Sequence, residues 1–127
     1  MRKTVVLVAL FGLLAVTALL FPSGKAALAS EAPVKGMVTM VDVGADTCVP
    51  CKMMVPIMKE LEKEYAGKAS ILFIDVWKNT AEAVKYEVSV IPTQIFYDKD
   101  GKEISRHEGF MDKKSIVAML DQLGVKK

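Results

Sequence analysis

A chain of 127 residues, 52% of them hydrophobic, with a formal charge of +2, holds at most one domain. Arg2, Lys3 and Lys25 sit in an N-terminal stretch that contains no acidic residue, so without residues 1–29 the charge falls from +2 to −1. That balance gives no support to a nucleic-acid-binding surface, and two cysteines are too few for a structural zinc site or a disulfide-stapled scaffold.

The first thirty positions read as a targeting segment. Arg2 and Lys3 precede residues 5–21, which carry no charge, and Ala27-Leu28-Ala29 supplies an A-x-A site. A basic start, an apolar run and small residues at a cleavage site mark a secretory signal peptide, with cleavage expected between Ala29 and Ser30. The alternative is retention of residues 5–21 as a membrane anchor. Either outcome places the folded part outside the cytoplasm, in a bacterial periplasm or cell envelope. About a hundred residues then remain, enough for one modest core.

Residues 30–36 form a short polar linker, and the folded domain is expected over 37–127. Residues 37–43 are apolar apart from Thr39 and Asp42 and read as a buried strand. A loop over 44–47 leads into a helix starting at Cys48 or Val49, with Pro50 tolerated in its first turn. Met54, Ile57, Met58, Leu61 and Tyr65 recur at helical spacing as its core stripe. Pro56 predicts a kink within it, and Gly67 closes it.

Residues 70–76 are apolar on both faces, the pattern of an interior parallel strand. A short helix follows over 81–86, capped by Asn79 or Thr80. Ile91-Pro92 breaks the chain before a third strand at 93–97. Asp98-Lys99-Asp100-Gly101 turns into an edge strand over 102–108. Asp112 caps a last helix that buries Ile116, Val117, Met119, Leu120 and Leu123. The order β-α-β-α-β-β-α, with right-handed crossover and terminal hairpin, predicts an α/β fold: a four-stranded mixed sheet with helices on both faces.

Chemistry concentrates at Cys48-Val49-Pro50-Cys51. Two thiols at this spacing at a helix start can close and reopen a disulfide. Free backbone N–H groups and the helix dipole favour the thiolate there. A thiol of pKa about 8.5 is a few per cent ionised at pH 7, against half at a pKa of about 7. As a structural staple so small a loop would contribute little.

The element order, the dithiol, Pro56, Ile91-Pro92-Thr93, Asp42 and Gly109 together resemble the thioredoxin family over residues 37–123. The resemblance implies a thioredoxin-like fold and a thiol–disulfide oxidoreductase of protein-disulfide reductase type, without cofactor or metal, acting as a monomer. Cys48 is implied as the attacking thiol, Cys51 as the resolving one and Asp42 as its proton acceptor. Ile91, Pro92 and Thr93, with Pro92 cis, are implied to meet the client together with Val49 and Pro50. The implied partners are client protein thiols and disulfides, possessing no nucleic-acid component, and a membrane thiol-electron transporter as reductant. Apocytochromes c awaiting haem are one such client class.

Several positions depart from the family. Thr47 replaces a tryptophan, Val49-Pro50 a Gly-Pro pair, and Ile71 is aligned with a lysine that family members place near the aspartate. The strand and helix that open full-length thioredoxins are missing from the pattern. Trp77, the sole tryptophan, is expected to pack beside the second helix or shape the client surface. His107 is expected on a solvated edge. Two alternatives stand: a disulfide-forming oxidase, and a copper carrier using Cys48, Cys51, Met53, Met54 or His107 as soft ligands.

Overall fold

The computed structural model describes residues 31–127. The predicted leader, its cleavage site and the anchor alternative over residues 5–21 lie outside them. Seven elements follow in the expected order: β1 (Thr39–Gly44), α1 (Val49–Glu64), β2 (Ser70–Asp75), α2 (Thr80–Lys85), β3 (Thr93–Tyr97), β4 (Glu103–Glu108) and α3 (Lys113–Gln122). The strands are arranged β2-β1-β3-β4. β1 runs parallel to β2 and antiparallel to β3, and β3 pairs antiparallel with β4.

Two cores sandwich this sheet. Met40 and Phe96 turn towards Met54, Met58 and Leu61 of α1, towards Tyr65 at its C-cap, and towards Ile116 and Leu120 of α3. Val41, Val43 and Ile95 turn the other way, onto Tyr86 beside α2. Alternation along β1 therefore puts Met40, Asp42 and Gly44 on the α1 face. Of the predicted α3 stripe, Ile116 and Leu120 are buried, while Val117, Met119 and Leu123 pack at its margin.

The helix ends follow local chemistry. Asp112 caps α3 by accepting the Ser115 N–H at 3.0 Å, and Asn79 caps α2 by accepting that of Ala81 at 3.3 Å. Lys113 bridges the start of α3 to Glu60 and Glu64 of α1, at 2.7 and 2.6 Å. α1 continues through Pro56. The lead-in to β1 is docked: Ala32 is buried, its carbonyl accepts the Tyr86 hydroxyl at 3.1 Å, and Gly36 N–H donates to Lys99.

One element departs from expectation. β2 is an edge strand, not an interior one, because β3 pairs on the far side of β1 rather than beyond β2. Its apolar pattern reports helices over both sheet faces, which an edge strand shares with an interior one. Phe73 shows the difference, being half-exposed on β2.

Candidate active site

The parallel strands β1 and β2 deliver their C-terminal ends to one edge of the sheet, where β3 begins. Val43 pairs with Thr93, so the Ile91-Pro92 loop lies beside the end of β1. Cys48 is the N-cap of α1 and is linked to Cys51 by a disulfide. Its Sγ accepts the backbone N–H of Cys51 at 3.2 Å, so a helix-terminal donor already points at this sulfur. Cys48 is half-buried, whereas Cys51 is 1% exposed. An incoming group can reach the first sulfur and not the second.

Gly44 lies beneath the pair. A methyl group there would approach Cys51 Sγ and Phe73 Cε2 to 3.2 Å each. The absence of a side chain at Gly44 lets the first turn of α1 settle onto β1.

Asp42 is fully buried on the same face. Its Oδ1 accepts Gln94 Nε2–H at 2.8 Å, and among the described residues no donor meets its Oδ2. Burial pushes its carboxyl up from 3.8 to about 6, against the opposing pull of the Gln94 hydrogen bond. The group can therefore exchange a proton near neutral pH. A cleft of about 360 Å³ between α1 and β2 is lined by Asp42, Val55, Met58, Lys59, Glu62 and Phe73, among others, and brings solvent to the carboxyl's side of the sheet.

Gln94 was not singled out in the sequence. A polar residue inside the apolar run after Pro92 was the available signal, and only the β1–β3 register pairs it with Asp42. The same kind of register sets which residue of β2 faces the carboxyl. Phe73, not Ile71, lies across from Asp42, since β1 and β2 pair Met40 with Ile71 and Asp42 with Phe73. Neither residue carries a charge, so no lysine of β2 neighbours the carboxyl.

The Ile91–Pro92 bond is cis. Gly109 N–H donates to Pro92 O at 2.7 Å, tying the end of β4 to this loop. Gly109 has φ +91, a backbone region that favours glycine. Thr93 Oγ1 donates to Val90 O at 2.6 Å. Pro92 and Thr93 are buried and Ile91 half-buried, whereas Val49 and Pro50 are exposed. Trp77 is 61% exposed just past the end of an edge strand, which corrects its reading as a packing residue. His107 is exposed as expected, its Nε2 3.2 Å from Phe110 O. Among the described residues no three His, Cys, Asp or Glu side chains gather as a metal-binding group.

The thioredoxin family model matches residues 25–122. The chain belongs to the thioredoxin family. Thioredoxins of Staphylococcus aureus strains Mu50 and MW2 are each 42% identical to it over 92 residues, covering 72% of this chain and 88% of theirs. The X-ray structure of Fasciola hepatica thioredoxin is similar with a TM-score of 0.62 and 33% identity, over 69% of this chain and 82% of that one. A crystal structure of chloroplastic thioredoxin z shares the fold, at a TM-score of 0.63 and 24% identity over 70% of this chain and 80% of that one. With a C-x-x-C pair at disulfide distance, this thioredoxin-family protein is a thiol–disulfide oxidoreductase.

Proposed function

We propose that this protein reduces or exchanges disulfides of client proteins outside the cytoplasm. The observation that carries the reading is the asymmetry of the pair: a reachable Cys48 at the helix start and a covered Cys51 behind it. In the reduced protein, the Cys48 thiolate attacks one sulfur of a client disulfide. A bond forms between Cys48 and that sulfur, and the other client sulfur leaves as a thiolate and takes a proton. Cys51 then gives its proton to Asp42 and attacks Cys48 Sγ. The second client sulfur departs, and the Cys48–Cys51 disulfide of the present structure remains. Two electrons have passed to the client, and an external dithiol must return them.

The extracytoplasmic setting rests on the basic-apolar-small pattern of residues 1–29. A membrane thiol-electron transporter is then the reductant that fits, and apocytochromes c are one fitting client class. The reducing direction rests on the lack of histidine between the cysteines, which leaves the thiolate with fewer stabilising groups. Equilibration of the pair with glutathione buffers tests this. A potential near thioredoxin's, about −270 mV, is expected, and one near −120 mV would mark an oxidant and reverse the assignment.

A further inference from the structure

β1, β2 and β4 all end at the disulfide edge, and each of the segments beyond these ends leaves a large apolar side chain in solvent. Val49 opens α1 beside Cys48 and is 73% exposed. Trp77 follows β2 at 61%, and Phe110 follows Gly109 at 40%. Val90, at 47%, precedes the Ile91-Pro92 loop at the start of β3. Apolar residues collected at one edge mark an interaction surface, and tryptophan is among the strongest contributors to such surfaces.

Trp77 is also held in place. Asp75 Oδ1 accepts the backbone N–H of Trp77 at 2.9 Å and of Lys78 at 3.1 Å. Its Oδ2 accepts the N–H of Asp46 at 3.1 Å, two residues before Cys48. Lys78 then pairs with the Asp46 carboxylate. Burial alone would raise the Asp75 carboxyl, but the N–H groups of Lys78, Asp46 and Trp77 outweigh it and hold it below the usual range. One carboxylate therefore joins the turn carrying Trp77 to the loop that leads into the reactive cysteine. A ring on a fixed base loses little freedom on contact.

We propose that Trp77 is a specificity-determining residue of this oxidoreductase, an anchor for clients carrying a large aliphatic side chain close to the attacked cysteine. The proposal rests on the disulfide-reducing reading above and names the client chemistry that reading leaves open. The aliphatic class follows from the surroundings: the exposed large apolar side chains sharing the edge are Val49, Val90 and Phe110, and the Lys78 and Asp46 charges beside Trp77 pair with each other.

The test compares two disulfide-linked peptides, identical except for Leu or Ser two residues from the cysteine, with bis(2-hydroxyethyl) disulfide as a small disulfide lacking a side chain to dock. For Trp77→Ala, the ratio of kcat/KM on the Leu peptide to that on the small disulfide should fall about tenfold. Trp77→Phe should restore most of it, and Val84→Ala, an exposed position on α2, should leave it unchanged. Because the chain has one tryptophan, its emission reports the contact directly. In a Cys51→Ser protein joined to the Leu peptide, emission should shift to the blue and acrylamide quenching should slow, with neither change for the Ser peptide. An unchanged ratio in Trp77→Ala, or identical emission with both peptides, overturns the proposal. A wild-type protein that reduces none of the three disulfides overturns the reducing reading instead, and the emission comparison still decides the role of Trp77.

Discussion

Asp42 and Gln94 meet across the β1–β3 ladder, with the carboxyl Oδ1 accepting the amide Nε2–H at 2.8 Å beneath the first helix. A single amide donor is thin compensation for a fully buried carboxylate, and burial accordingly prevails, lifting the carboxyl to about 6. Between about pH 4 and 6 the folded protein thus keeps a proton that the unfolded chain has released. Stability from this group is fully present below the unfolded value of 3.8 and is lost as pH rises through about 6.

Asp42→Asn removes this dependence. A shift of about two pH units corresponds to about 3 kcal/mol, so the variant should be more stable at pH 8 by on the order of 2–3 kcal/mol and little changed at pH 3. Urea midpoints at the two pH values measure it. The same variant should release client from the mixed disulfide more slowly, since Cys51 loses its proton acceptor. Equal destabilisation at both pH values would show that Asp42 serves packing alone.

Gln94→Leu takes away the donor that opposes the upward shift. The Asp42 carboxyl should then titrate above about 6, and stability should go on declining to a higher pH than in the parent. At pH 8 the loss should be on the order of 1–3 kcal/mol, the cost of a buried charge deprived of its hydrogen bond. Carboxyl chemical shifts against pH give the titration, and an unmoved midpoint would contradict the pairing.

The two cysteines should differ in accessibility once reduced. Iodoacetamide at limiting amounts should modify Cys48 roughly tenfold faster or more, because Cys51 is covered. Cys51→Ser should accumulate a client mixed disulfide visible on non-reducing gels, and Cys48→Ser should not. Equal labelling of both positions would undo the assignment of attacker and resolver.

Gly44→Ala places a methyl group 3.2 Å from both Cys51 Sγ and Phe73 Cε2. Phe73 is half-exposed and can turn away, but the sulfur is tethered to Cys48 in the oxidised protein. The expected cost is about 1–2 kcal/mol, larger for the oxidised than for the reduced form. Melting temperatures of the two forms, compared with those of the parent, read the difference.

Local patterns carried much of this molecule into view. The dithiol, the helix stripe from Met54 to Tyr65, the Asp98–Gly101 turn and the Asp112 cap depend on neighbours within a few residues. Their physics is complete before the chain folds. Asp42 was visible for a related reason: a charge inside an apolar strand costs free energy unless a partner or a task offsets it. Ile91-Pro92-Thr93 needed the family resemblance, because an X–Pro sequence leaves the isomer undecided.

Strand neighbours and registers were beyond local reach. β2 has the same apolar pattern at an edge as it would have inside, because helices cover both faces of the sheet. Gln94 gains its role only through the register that sets it against Asp42, and Phe73 comes to lie opposite that carboxyl for the same reason. Trp77 is apolar enough for a core position, yet the chain leaves it beyond the end of an edge strand. By itself the sequence determined the reacting pair and the order of elements, since spacing and periodicity act along the chain. The tertiary structure decided which groups surround that pair, because strand pairing joins residues that lie far apart in the chain.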